Sequence, residues 1–142
     1  MIVTGSGTPT RALGPAGSPS STWRCLARRG MLHSECESFD HVVLAPGHRS
    51  THDDAGVEQA VHLAHGTATL RLRTGSREVG AGELILVPAG CGAVLEAGPG
   101  GAGLLVLRVL SSASRAALPP RVPELPLLER TIGVPASEEL VA

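Results

Sequence analysis

Between Pro46 and Gly66 the chain gathers a cluster of side chains able to move a proton or hold a metal: His48, His52, Asp53, Asp54, Glu58, Gln59, His62 and His65. His52 and Asp54 are two positions apart, and Gln59 follows five positions after Asp54. An imidazole beside a carboxylate can serve as general acid and base, with the carboxylate orienting or ionising the ring. One His and one carboxylate are also legitimate ligands for a first-row metal, and an amide oxygen is a weak one. Two further groups stand apart. Cys91 follows the Pro88-Ala89-Gly90 turn, with the strand parity of a pocket-facing residue. A free thiol is more often inert packing, and a nucleophile needs a lowered pKa. Arg108 interrupts the apolar run Leu104 to Leu110. It either snorkels from a sheet edge or pairs with a carboxylate inside the fold, where it would anchor an anionic substrate.

The elements that must position these groups read as short strands. His33 to Leu44 alternates and then turns apolar, with His33, Glu35 and Glu37 on one solvated face. Gln59 to His65 and Ala68 to Arg73 are separated by Gly66-Thr67. Thr74-Gly75-Ser76 predicts a hairpin turn that sets Arg71 and Arg73 opposite Arg77. Leu84 to Val87 is stopped by Pro88, Ala97 to Gly101 reads as a loop, and Leu104 to Leu110 is a last apolar strand. Many short strands at regular spacing predict an all-β sandwich or barrel over residues 23–111. Residues 1–22, rich in Gly, Ser and Pro, predict a flexible arm. Residues 112–142 carry five prolines and predict a tail packed on the barrel or on a partner subunit, with short helices at 124–130 and 137–141.

Composition narrows the function classes. The 142 residues suit one domain with a real core. A net charge of −1 without a basic run gives nucleic-acid binding little support. No apolar stretch is long enough to span a membrane, and no signal peptide is legible. All twelve basic residues are Arg, which reads as GC-rich bacterial coding. Three cysteines without metal-type spacing fit free thiols in a reducing cytoplasm.

Two segments carry a family resemblance: Pro46-Gly47, His52, Asp54, Gln59 and Gly66, then Gly82 through Pro88 and Gly90. They resemble the two motifs of the cupin superfamily, over residues 42 to about 110. The resemblance implies an all-β double-stranded β-helix, a jelly-roll barrel, as a homodimer. It also implies that His52, Asp54, Gln59 and Ala93 occupy the positions where most metal-dependent cupins place two histidines, a glutamate and a last histidine. One histidine and two oxygen-bearing substitutes remain, and the fourth ligand is gone. His48, in the loop feeding the site, and His41, on an adjacent strand, are candidates to compensate. Glu58 would replace Gln59 in the pocket if a one-residue bulge shifted the strand. His62 and His65 read as surface or interface histidines. Either one divalent metal (Zn, Fe, Mn or Ni) or none fits this pattern.

The functional expectation has two branches. One is a small-molecule enzyme of bacterial specialised metabolism, of isomerase, cyclase, lyase or dehydratase type. In it His52 and Asp54 are catalytic, and Gln59, His41, Arg108 and Cys91 contact the substrate. The other is a non-catalytic ligand-binding or accessory cupin. Trp23 and Phe39 are the only aromatics, so the pocket suits an aliphatic or polyketide-like ligand better than a stacked planar one.

Overall fold

The computed structural model describes residues 11–13, 21–29 and 35–119. Eight strands and one short helix follow in order: β1 (Arg11–Leu13), β2 (Ser21–Arg28), β3 (Cys36–Leu44), β4 (Arg49–His52), β5 (Val57–Leu72), β6 (Gly75–Gly80), β7 (Leu84–Val87), β8 (Ala93–Leu110) and α1 (Ser112–Ala117). The expected all-β fold is present. Its backbone is β5 and β8, which pair antiparallel along most of their length and bend together.

That shared bend makes two layers. The first half of β5 and the second half of β8 join β7, β3, β2 and β1 in one layer. The second half of β5 and the first half of β8 join β6 and β4 in the other. Among the described residues, strand pairing does not close into a full ring. The layers meet through an apolar core that includes Val42, Leu44, Val61, Leu63, Leu104 and Val106 from one side. Ala68, Leu70, Val79, Ala93, Leu95 and Ala97 come from the other. Side chains alternate across each strand, so every second residue enters this core.

The bend is built from glycine. Residues 98–101 of β8 stand opposite Thr67 alone, because Ala97 pairs with Ala68 and Ala102 with Gly66. The stretch expected to be a loop is therefore the corner of a continuous strand. Likewise, Gln59 to His65 and Ala68 to Arg73 form one strand, carried through the bend by register shifts at Leu63/His65 and Gly66/Ala68. Gly66 has a φ of 80°, and a Cβ there would run into the Gly101 carbonyl oxygen. Gly101, at 76°, sits with its own Cβ position 2.7 Å from the Leu44 carbonyl oxygen. Three backbones thus approach where no side chain fits.

Other expectations shift in detail. The hairpin turns at Arg73-Thr74, so Leu70 rather than Arg71 faces Arg77, and Arg73 lies in the turn. Arg11–Leu13, within the expected arm, pairs with Ser21–Trp23. Helix α1 opens the expected tail, capped by the Ser111 side chain, which accepts from the Ser114 N–H. The helices expected at 124–130 and 137–141, and His33, lie outside the described residues. Glu37 binds Arg29 at 2.7 Å, and Glu35 binds Arg115 at 2.6 Å. Among the described residues no helix is long and apolar enough to cross a membrane.

Gly66→Ala should destabilise the fold by about 2 kcal/mol or more, because it adds both backbone strain and a clash with backbone. Gly100→Ala, with nothing within 4 Å of its Cβ position, should stay within about 0.5 kcal/mol. Urea unfolding of the two variants checks this. Equal losses would show that close backbone approach at Gly66 is not what the corner requires.

Candidate functional site

The inward faces of β3, β5, β7 and β8 become polar at one end of the core. Register places Ser38 of β3 beside Arg108 of β8, Arg108 beside Gln59 of β5, and Gln59 beside Val87 of β7. Asp40 of β3 lies in the next inward row with Val106 and Val61. From the opposite layer, β4 brings His52, whose strand partner is Ala93. His52 and Asp40 are each 1% exposed and Gln59 is 4% exposed.

These side chains form one connected network. His52 Nδ1 lies 2.8 Å from Gln59 Oε1, a bond that crosses between the layers. The Gln59 amide nitrogen donates to Asp54 Oδ2 at 2.9 Å. Arg108 Nε lies 3.8 Å from the same Asp54 oxygen. Arg108 Nη1 donates to Asp40 Oδ2, and Ser38 Oγ donates to that oxygen at 2.9 Å.

The network fixes the tautomer of His52. An ionised carboxylate only accepts, so the NH₂ end of Gln59 must face Asp54 and its carbonyl must face the imidazole. Gln59 Oε1 then accepts from His52 Nδ1–H, and Nε2 carries the lone pair. Among the described residues that buried Nε2 has no hydrogen-bond partner, and neither has Asp40 Oδ1. A buried acceptor left unpaired costs about 1–3 kcal/mol. Burial first, and then the Arg108 charge, hold the His52 imidazole below its ordinary value, while its bond to Gln59 opposes them. The shift favours the neutral ring, with its lone pair at Nε2.

The structure joins His52, Asp54, Gln59 and Arg108. Arg108 takes the second of its two sequence readings: it pairs inside the fold, with a carboxylate that the sequence reading missed. The signal for Asp40 was legible. It has the strand parity of Val42 and Leu44, so it is a carboxylate at an apolar position.

The remaining candidates lie elsewhere. His41 occupies the opposite face of β3 from Asp40 and Val42, because side chains alternate; the expectation that it enters the barrel is corrected. Burial, then the charges of Arg24 and His65, lower its pKa. His48 Nδ1 is bound at 2.6 Å to Ser21 Oγ, which also accepts from the Ala45 N–H. That clasp ties β2 to the β3–β4 loop and occupies one of the two His48 ring nitrogens. Cys91 is exposed, because β8 begins only at Ala93 and strand parity does not extend back to it. Glu58 faces outward and Gln59 inward, so no bulge exchanges them. Cys25, across from Asp40 in β2, sends its thiol to the Ala27 carbonyl at 3.1 Å; burial, then the Asp40 charge, push its pKa up.

Comparison with solved structures places this arrangement. A predicted oxalate decarboxylase from Thermotoga maritima superposes with a TM-score of 0.65 at 16% identity, covering 78% of this chain and 100% of that one. A Cupin 2 conserved barrel domain protein from Salinispora arenicola gives 0.57 at 15% identity, covering 68% and 81%. A cupin superfamily protein from Desulfitobacterium hafniense gives 0.56 at 16% identity, covering 68% and 84%. The chain has the cupin fold. No protein-family profile and no curated protein matches the sequence.

The motif resemblance aligns His52, Asp54, Gln59 and Ala93 with the metal-holding positions of metal-dependent cupins. His52 and Gln59 are bonded to each other, Gln59 is bonded to Asp54, and Ala93 presents a methyl group that is 3% exposed. Among the described residues no three His, Cys, Asp or Glu side chains gather in a metal-binding group. This donor set does not fit a resident divalent metal.

The lowered His52 pKa sets a pH dependence. The unfolded chain takes up this proton as pH falls below about 6.5, while the folded state resists it. Stability should therefore be full above that value and fall as pH drops toward the depressed folded value. The loss from His52 should be up to about 1.4 kcal/mol per pH unit. Urea unfolding across a pH series checks this, with His52→Gln expected to flatten the slope. An unchanged slope in the variant would show that His52 is not the group responsible.

Proposed function

We propose that this cupin-fold protein is a small-molecule enzyme in which His52 Nε2 exchanges a proton with substrate, in an isomerisation, cyclisation, elimination or dehydration. The observation that carries this reading is the His52–Gln59–Asp54 chain, which leaves the unpaired Nε2 of an oriented imidazole inside the fold. When Nε2 takes a proton, the Nδ1–H bond to Gln59 holds the ring in orientation. Gln59 in turn is polarised by Asp54. The amide transmits charge stabilisation but accepts no proton itself, so one proton moves at one atom. Val, Leu and Ala line the core, which supports an aliphatic ligand with a few polar anchors.

The Thermotoga neighbour is a predicted oxalate decarboxylase. Here a dianion such as oxalate would meet Asp40 and Asp54, with Arg108 already engaged by both, so that activity is not carried over. A second reading is a non-catalytic ligand-binding cupin. It is favoured by the closure of Nε2 to water, since a base must be reached by its substrate. In either reading we place the protein in the bacterial cytoplasm as a homodimer.

Exchange of substrate C–H hydrogens with solvent deuterium tests the enzyme reading directly. Aliphatic hydroxyketones incubated in D₂O with wild-type protein should gain deuterium. His52→Gln should lose that activity by at least about a hundredfold while keeping its fold. Equal exchange by the variant would sink the assignment to His52. Saturable binding without exchange by either protein would favour the ligand-binding reading.

A further inference from the structure

Among the described residues two acceptors stand unsatisfied on the inward face: Asp40 Oδ1 and His52 Nε2. They belong to side chains that are each 1% exposed, and one continuous network joins them through Arg108, Asp54 and Gln59. Buried polar groups are rarely left unpaired, and two in one network call for an explanation. Most of the donors beside them are engaged. Arg108 Nη1 is bound to Asp40, its Nε lies 3.8 Å from Asp54, the Gln59 amide nitrogen serves Asp54, and Ser38 donates to Asp40 Oδ2. The Cys25 thiol donates to the Ala27 carbonyl and lies within hydrogen-bonding reach of the Asp40 side chain. At these two atoms the network therefore offers a ligand acceptors. Asp40 and Asp54 set against Arg108 also leave it one negative charge in excess.

We propose that this interior is a binding site for a ligand that donates hydrogen bonds, one bearing hydroxyl or ammonium groups and no carboxylate, held by Asp40 Oδ1 and His52 Nε2. This rests on the reading that ligands are handled inside the fold. It reverses the role of Arg108 expected from sequence. Rather than anchoring an anion, Arg108 is occupied in holding two carboxylates in place, and Asp40 becomes the ligand-facing group. An anion would meet lone pairs and negative charge, whereas a hydroxyl or ammonium group would supply the hydrogens both acceptors lack. Neither acceptor is open to water in this structure. The network reaches solvent at Asp54 and Arg108, whose side chains are 54% and 26% exposed, so entry requires those two to move aside.

The test is a titration followed by NMR, observing the His52 ring nitrogens and the Asp40 backbone amide. The probes are erythritol, ethanolamine and oxalate at millimolar concentration. Erythritol or ethanolamine should shift both sets of signals in the wild-type protein, and the stronger of the two identifies a hydroxyl or an ammonium ligand. Asp40→Asn turns the free acceptor into a donor. It should weaken the effective probe about tenfold and strengthen oxalate. If that variant fails to fold, the wild-type titration decides alone. Shifts at these signals with oxalate only would overturn this inference while leaving the interior as a ligand site. No shift with any probe would overturn both.

Discussion

The antiparallel pairing of β5 with β8 through a common glycine corner is the constraint on which the rest depends. Because both strands turn at the same point, each contributes one half to each layer. The first half of β5 carries Gln59 into contact with the row that holds Arg108 and Ser38. The first half of β8 carries Ala93, and with it β4 and His52, to the opposing layer. The His52–Gln59 bond can form only because the corner brings these halves face to face. A Cβ at Gly66 or Gly101 would push directly on backbone oxygens, so the approach is closed to any other residue.

The polar end of the core departs from the economy of an apolar interior. Burying Asp40, His52 and Gln59 carries a desolvation cost that paired bonds offset, and two acceptors remain unpaired. Apolar residues of similar size would fill the same space at lower cost. Strain of this kind collects where a protein handles ligands, and here it collects around a single arginine. Arg108 lies against Asp40 and Asp54 at once, so it links the β3 row to the chain that orients His52. The interior is therefore not a plain hydrophobic one, because side chains from both layers bond to one another at its polar end.

The two motif segments divide along the same line. Their glycines and proline serve backbone geometry: Gly47, Gly66, Gly82 and Gly90 all adopt positive φ, and Pro88 follows directly on the end of β7. The fold these features build persists at 15–16% identity to the Salinispora and Desulfitobacterium cupins. The positions that carry chemistry can vary within that framework, which is why fold and activity are separable here.

The sequence by itself determined the all-β class, the approximate places of most strands and the parity of most side chains. Those follow from alternation and from the residues that punctuate strands, which act over a few positions. It also showed His52, Asp54 and Gln59 as one group, and placed Gln59 inward with Glu58 outward. It missed that residues 97–101 are a corner within a strand, because glycine and proline mark loops and bends alike. It assigned His41 and His48 to the pocket because closeness in sequence says nothing about which face a strand presents or which neighbour claims a nitrogen. Only the tertiary structure decided that Asp40, far from Arg108 along the chain, is its partner, and that Ser21 holds His48. Such pairings depend on strand register and on the approach of two layers, which no local pattern encodes.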